Sequence, residues 1–433
     1  MDSLGRSAAT RESTRHNGHF SPDQVLSTTS RVWTLGFFLL LAVLLSRGVL
    51  ENAVGKNAAY AVQLGVIVAF TFLLLVAGGP RPRTGRTWIL PVAYVFVLVA
   101  LISAWASLSI QGIDYFWQYL LVTFFYVATL VVYSLIDFDV MRRIAVGPVL
   151  ALLGLALVGV AFAQQYGGFT SLPGGDLGTF GSLLRPASLT GSFLHYPIAA
   201  SLIVFLLLGI GEQRRKRIYW LVAAIVALGV VTSLSRSGMV ILLVGLFCGV
   251  ALIPTLSRRF RAVCALFLGG SVLLFFLPAG PLLDRFTSIF DAGGSGNTIR
   301  IEVWTSVIDL WAASPILVGS HTGQFTNVTS NTSGFGGQVA ESGVLQMLVS
   351  FGVIGLVAYY ALMVGTLSAL RRQPPWFIAG AIGGIAQSAV YQSIEVLPFM
   401  VLFALFPMIA SANTPVTPGS HRSLKIHPRK NLG

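Results

Sequence analysis

Apolar runs long enough to cross a membrane, separated by short basic connections, constrain this chain more than any other feature. A helix needs about 20 predominantly apolar residues to span the hydrocarbon core of a bilayer. Runs of that kind fall at 32–50, 58–78, 87–107, 115–135, 144–163, 193–211, 218–233, 237–256, 262–279, 343–369, 376–392 and 396–411. They are continuous in Leu, Val and Phe, whereas a membrane β-barrel needs a polar residue at every second position. Only 10% of the residues are charged, against about 25% in a soluble domain. The expectation is an all-α polytopic membrane protein with about 12 transmembrane helices.

The Lys and Arg residues orient it, because cytoplasmic loops carry the excess of positive charge. With the N-terminus in the cytoplasm, Arg6, Arg11, Arg15, Arg31, Arg81, Arg83, Arg86, Arg142, Arg143, the run from Arg214 to Arg217, Arg258, Arg259, Arg261, Arg371, Arg372, Arg422, Lys425, Arg429 and Lys430 all fall inside. The six others, Arg47, Lys56, Arg185, Arg236, Arg285 and Arg300, fall outside or at outer helix ends. Both termini are then cytoplasmic. The net charge of +13 is accounted for by this topology and by contact with anionic lipid, so no nucleic-acid partner is implied. Residues 1–31 are polar and basic, which reads as a disordered cytoplasmic tail rather than a cleavable signal peptide. Residues 412–433 read as a second tail. Cys248 and Cys264 fall within spans 8 and 9 and have neither disulfide nor metal-ligand spacing.

Two outer connections are long. The first, 164–192, is rich in Gly, Ser and Leu. The second, 280–342, lies between spans 9 and 10. Loops longer than about 15 residues tend to be functional or disordered, and the second is patterned. In LLDRFTSIF, Leu283, Phe286 and Phe290 share one stripe. In NTIRIEVWTSVIDLW, Arg300, Trp304, Val307 and Trp311 share another, with Glu302, Ser306 and Asp309 opposite. That period predicts an amphipathic helix lying along the membrane surface, capped by Asn297 or Thr298. The Gly- and Ser-rich stretch after it reads as mobile.

Arg236, in VVTSLSRSGMVILL, has apolar sequence on both sides. A charge near hydrocarbon is costly and marks function, pairing or an arginine snorkelling to the interface. Arg185 precedes Pro186 just before span 6, and Arg300 opens the amphipathic helix. Three isolated arginines on the side poor in basic residues suit a pyrophosphate, since guanidinium is always charged and donates in a planar fork. Glu341, just before span 10, fits a general base or a helix N-cap. His321 and His195 are secondary candidates for the base. Asp114 and Glu395 are further carboxylates at outer helix ends. The triplets at Asn327 and Asn331 match the glycosylation acceptor pattern, which arises easily in Ser/Thr-rich sequence. There is no Gly-rich phosphate loop ending in Lys-Ser/Thr, no HExxH and no carboxylate pair at metal spacing.

The order RPASLTGSFLHYPIAA, SLSRSGMVILL, IRIEVWTSVIDLWAASPILVGSHTGQF and ESGVLQMLVSFGVIGL resembles the O-antigen ligase and Wzy-type polysaccharide polymerase superfamily over about 183–365. The resemblance implies a GT-C-like membrane fold and an inner-membrane glycosyltransferase. It implies a donor of undecaprenyl-pyrophosphate-linked oligosaccharide, with no metal and no nucleotide-sugar cofactor. Arg185, Arg236 and Arg300 would hold the pyrophosphate. Membrane lipid, a polysaccharide co-polymerase and a flippase are the partners it suggests. Ligases of the superfamily typically carry His-Asn where this chain has Glu341-Ser342, which favours a repeat-unit polymerase, most like those of xanthan-type exopolysaccharide systems. The rival readings are a ligase that moves the glycan to a lipid or protein acceptor, and a polytopic transporter. Transporters keep broken helices and binding residues near the midplane, whereas the unusual charges here lie at outer helix ends.

Overall fold

The computed structural model describes residues 22–83, 85–111, 113–169, 177–180, 183–252, 295–326 and 339–412. The helices among them are α1 (Pro22–Leu45), α2 (Arg47–Val54), α3 (Lys56–Ala77), α4 (Ile89–Gln111), α5 (Ile113–Leu135), α6 (Val146–Tyr166), α7 (His195–Arg214), α8 (Arg217–Thr232), α9 (Arg236–Leu252), α10 (Ser295–Ala312), α11 (Gly343–Leu370), α12 (Pro375–Val390) and α13 (Leu397–Ala412). Two three-residue antiparallel pairs complement them: β1 (Pro80–Pro82) with β2 (Ile136–Phe138), and β3 (Gly178–Phe180) with β4 (Leu183–Arg185).

Seven helices, α1, α3, α4, α5, α6, α7 and α11, are long and apolar enough to cross a membrane. Four shorter apolar helices, α8, α9, α12 and α13, accompany them. The chain is a multi-pass membrane protein. These eleven coincide with eleven of the twelve runs read from hydropathy. The run at 262–279, the LLDRFTSIF stripe and both Asn triplets lie outside the described residues. Helix α1 starts at Pro22, ahead of the position 32 expected from hydropathy. Helix α10 starts at Ser295, so Asn297 and Thr298 lie inside it and do not cap it.

Helix α7 is the centre of the bundle, almost wholly buried among α6, α8, α9, α12 and α13. Close approach there depends on small residues, as it does between helices in lipid. At Gly238 in α9, a Cβ would sit 2.6 Å from the Pro197 Cβ of α7.

Helix α11 is not the straight span that its hydropathy suggests. It breaks at Gly352, where φ is 64° and ψ is −169°. The segment 315–321 docks against the break. Val353 N donates to the Ile316 carbonyl at 3.0 Å, Ile354 N to the Leu317 carbonyl at 3.1 Å, and His321 N to the Val349 carbonyl at 3.2 Å. Backbone groups freed by a break in a membrane helix must find partners within the protein, and the chain's own loop supplies them. Glycine is required at 352 by the positive φ and by space, since a Cβ would collide with the Leu317 carbonyl. Ser107 Oγ donates to the Ser320 carbonyl at 2.7 Å, fastening the same segment to α4.

The candidate anion and base site

Arg236 is placed by the sequence Ser-Leu-Ser-Arg-Ser-Gly. Helix α8 ends at Thr232, where the Ser233 hydroxyl bonds back to the Val230 carbonyl at 2.6 Å. Leu234, with φ 57°, turns the chain, and α9 begins at Arg236. The Ser201 hydroxyl of α7 donates to the Gly238 carbonyl at 3.0 Å, fixing the start of α9 beside the start of α7. A cation at a helix N-terminus opposes the helix dipole, at a cost of about 0.3–1 kcal/mol. An anion bound there would be favoured by the dipole and the guanidinium together.

Arg300 and Glu341 meet because α10 packs on the start of α11. Val303 and Val307 are buried against Phe325, Ala340 and Val349, with Leu310 and Trp311 at the margin. Trp304 Nε1 donates to the Ala340 carbonyl at 2.7 Å. The predicted stripe Arg300–Trp304–Val307–Trp311 is therefore the face turned to the protein, and Glu302, Ser306 and Asp309 are exposed. At its head, Arg300 Nε donates to Glu341 Oε2. The helix cap is not Glu341: the Ser342 hydroxyl accepts from Leu345 N at 3.4 Å. Glu341 itself is held at φ 45°, a conformation costing a non-glycine residue on the order of 1–3 kcal/mol. Arg236 lies within electrostatic reach of both Arg300 and Glu341. These three residues, far apart in sequence, form one cluster.

The other candidates have different surroundings. Arg185, on β4, is buried, with its guanidinium 4.2 Å from the centre of the Phe193 ring. Ser188, just after it, also has a positive φ, of 51°. Three of the four described non-glycine residues at positive φ thus sit at or beside Arg185, Arg236 and Glu341. The fourth, Arg215, ends α7. His195 opens α7, within electrostatic reach of Arg47. His321 is buried on the docked segment, its Nδ1 2.7 Å from Gln324 Oε1. Burial holds that imidazole below the ordinary histidine range, against the opposing contact with Gln324. The Asp114 side chain lies outside the described atoms.

Arg47 and Glu395 gain importance from the structure. Arg47 is 8% exposed, pairs with Glu51 at 2.7 Å and lies 4.5 Å over the Tyr60 ring. Glu395 is 2% exposed and accepts from Gln346 Nε2 at 2.6 Å. Their sequence signals were a basic residue on the side poor in them and a carboxylate in an apolar stretch. Neither signal names a partner. Among the described residues, no group of three or more His, Cys, Asp or Glu is arranged to hold a metal ion.

Residues 221–360 match the family model described as O-Antigen ligase (Wzy_C), whose enzymes transfer lipid-linked glycans. The matched stretch contains Arg236, Arg300, His321 and Glu341. It is shorter than the 183–365 expected from the motifs and leaves out Arg185 and His195. No curated protein and no solved structure matches the chain.

Proposed function

We propose that this protein is a polysaccharide polymerase of the inner membrane, joining undecaprenyl-pyrophosphate-linked oligosaccharide repeats on the periplasmic face. The observation that carries the reading is the Arg236–Arg300–Glu341 cluster, in the stretch that matches a family of lipid-linked glycan transferases. The growing chain on its lipid pyrophosphate is the donor. A hydroxyl at the non-reducing end of a new lipid-linked repeat attacks the anomeric carbon. The bond from that carbon to the pyrophosphate oxygen breaks, and the pair of electrons leaves with the pyrophosphate. The hydroxyl proton passes to the Glu341 carboxylate, and in-line displacement inverts the anomeric centre. Arg236 and Arg300, with Arg185 as a third pyrophosphate ligand, stabilise the charge that develops on the leaving group, as preorganised donors do in general.

The Arg300–Glu341 pair suits this sequence of events. Its side chains are 39% and 35% exposed, and a pair that open contributes about 0–1 kcal/mol. A pyrophosphate carrying more charge than one carboxylate competes for Arg300. Donor binding would then release Glu341 from its partner at the moment a base is needed.

The lineage of His-Asn ligases differs at Glu341-Ser342, which favours a polymerase over transfer to a lipid or protein acceptor. The break in α11 does not favour a transporter, because residues 315–321 of the chain itself fill it. Deletion of the protein should leave lipid-linked single repeats. Finished long chains retained on the lipid would instead mark a ligase. The purified protein with isolated lipid-linked repeats should yield polymer and release undecaprenyl pyrophosphate, and no covalent product would refute the reading.

A further inference from the structure

Next to Glu341 lies a second polar cluster that the donor chemistry leaves unused. It is drawn from four elements: Arg47 and Glu51 of α2, Tyr60 of α3, Gln346 of α11, and Tyr391 with Glu395 in the turn between α12 and α13. Its floor is buried, with Gln346 0% and Glu395 2% exposed. Its rim is not, since Tyr60 and the Glu51 side chain are half-buried. Tyr391 lies beside the start of α11, its carbonyl oxygen 2.9 Å from where a Cβ at Gly343 would sit, and its hydroxyl is within electrostatic reach of Glu395, Glu341, Arg47 and Tyr60.

Burying a carboxylate costs several kcal/mol unless it is well partnered, and apolar replacements usually serve stability better. The cluster is therefore an expensive way to pack helices. It is also incomplete. Gln346 gives Nε2 to Glu395, but its buried Oε1 has no hydrogen-bond partner among the described residues, and orphaned buried acceptors are uncommon. Carboxylates, an amide, a guanidinium and two tyrosines are together the groups that bind sugars. Each sugar hydroxyl both donates and accepts, and its C–H face packs on an aromatic ring.

We propose that Arg47, Glu51, Tyr60, Gln346, Tyr391 and Glu395 form a carbohydrate subsite for the terminal sugar of the acceptor glycan. The subsite adjoins Glu341. The donor arginines and the acceptor cluster then flank a shared base, and the attacking hydroxyl is delivered to it by the sugar's own contacts. This rests on reading the chain as a glycan transferase.

The probe is the repeat oligosaccharide released by mild acid from the lipid-linked repeats of a strain lacking the protein. Its use as acceptor is measured in proteoliposomes against a fixed lipid-linked donor, then with donor varied. In Tyr60→Ala, Gln346→Leu and Glu395→Gln, half-saturation by the glycan should rise about tenfold or more, the scale of one hydrogen bond to a charged group, while half-saturation by donor stays near wild type. Thermal unfolding of each variant identifies those that fold, and Tyr60→Ala, at the half-buried rim, keeps the test available if a floor variant does not. Folded variants with unchanged glycan half-saturation, or with equal shifts for donor and glycan, overturn the subsite and leave the transferase reading standing. Wild-type protein that transfers to lipid-linked repeats but not to the free glycan overturns the subsite alone, and one that forms no covalent product with either overturns both.

Discussion

The two ends of the helix bundle treat their arginines in opposite ways. At the end where α3 finishes and α5 meets β2, charge is locked into structure. Arg81 pairs with Asp139 at 2.5 Å, and both Arg83 and Arg142 pair with Asp137, at 3.7 and 3.5 Å. Arg83 also donates to the Pro407 carbonyl and the Ser411 hydroxyl at 3.0 Å each. Arg86 reaches the Ala369 carbonyl at 3.2 Å. Arg81, Arg83 and Arg86 there tie together segments distant in sequence. At the end where α9 and α11 begin, Arg236 and Arg300 converge on a single partly exposed carboxylate, and Arg236 stands at the wrong pole of a helix. Of the four described non-glycine residues at positive φ, Ser188, Leu234 and Glu341 lie at this end and Arg215 at the other. Arg81, Arg83 and Arg86 thus bind segments of the chain to one another, whereas Arg236 and Arg300 are gathered about Glu341. That contrast is what the proposed pyrophosphate site would require.

The contrast can be broken most directly at the cluster. Arg236→Ala and Arg300→Ala should each lower polymer formation by about 100-fold or more, the scale of removing one preorganised donor, with protein level near wild type. Lysine at either position should restore only part of the rate, because it lacks the planar fork. Wild-type polymer from Arg236→Ala would remove that residue from the site.

Glu341→Gln should come next, losing about 100-fold if the carboxylate is a general base. The amide keeps nearly the size of the carboxylate and cannot take the hydroxyl proton, so the loss should appear in turnover rather than in donor binding. Because Ser342 is the helix cap, the substitution should change thermal stability little. A variant with wild-type turnover would end the role.

At the opposite end the effect should reverse. Arg83→Ala removes buried bonds from a charged group, each worth about 1.5–3 kcal/mol, so the melting temperature should fall clearly. Turnover per folded molecule should stay close to wild type. A turnover loss comparable to that of Arg300→Ala would erase the distinction between the ends.

The smallest effect concerns His321. Burial lowers its folded pKa, while the unfolded value is about 6.5. In acid the unfolded chain therefore binds a proton that the folded chain refuses, and stability falls as pH drops from 7 toward 5. His321→Gln should remove that component of the slope in thermal unfolding scans. An unchanged slope would mean that His321 is protonated as easily folded as unfolded.

Hydropathy carried the helices because a bilayer imposes one requirement, a long apolar run, on each of them separately. The stripe from Arg300 to Trp311 was legible for a related reason, since helical periodicity is local. Which surface that stripe meets is not local, and it turned out to face Phe325, Ala340 and Val349 in the protein. The break at Gly352 was hidden because it leaves hydropathy untouched. Its sign is a pairing with Ile316 and Leu317, some 35 residues earlier in the chain. Arg236, Arg300 and Glu341 could be singled out as charges in improbable places, but nothing in their spacing said that they meet. The Ser342 cap was obscured by the more conspicuous carboxylate beside it. Arg47 and Glu395 were visible only as isolated charges, since the contacts that join them to Tyr60, Gln346 and Tyr391 run between four separate elements.

We propose that the α9–α11 end, and not the β1–β2 end, holds the pyrophosphate. Binding of undecaprenyl pyrophosphate to the purified protein in nanodiscs tests it without requiring turnover. The account predicts saturable binding to wild type, weakened about tenfold or more in Arg236→Ala and in Arg300→Ala, as loss of a charge-assisted hydrogen bond implies, and unchanged in Arg83→Ala. Equal binding by all four proteins, or a loss confined to Arg83→Ala, would contradict it.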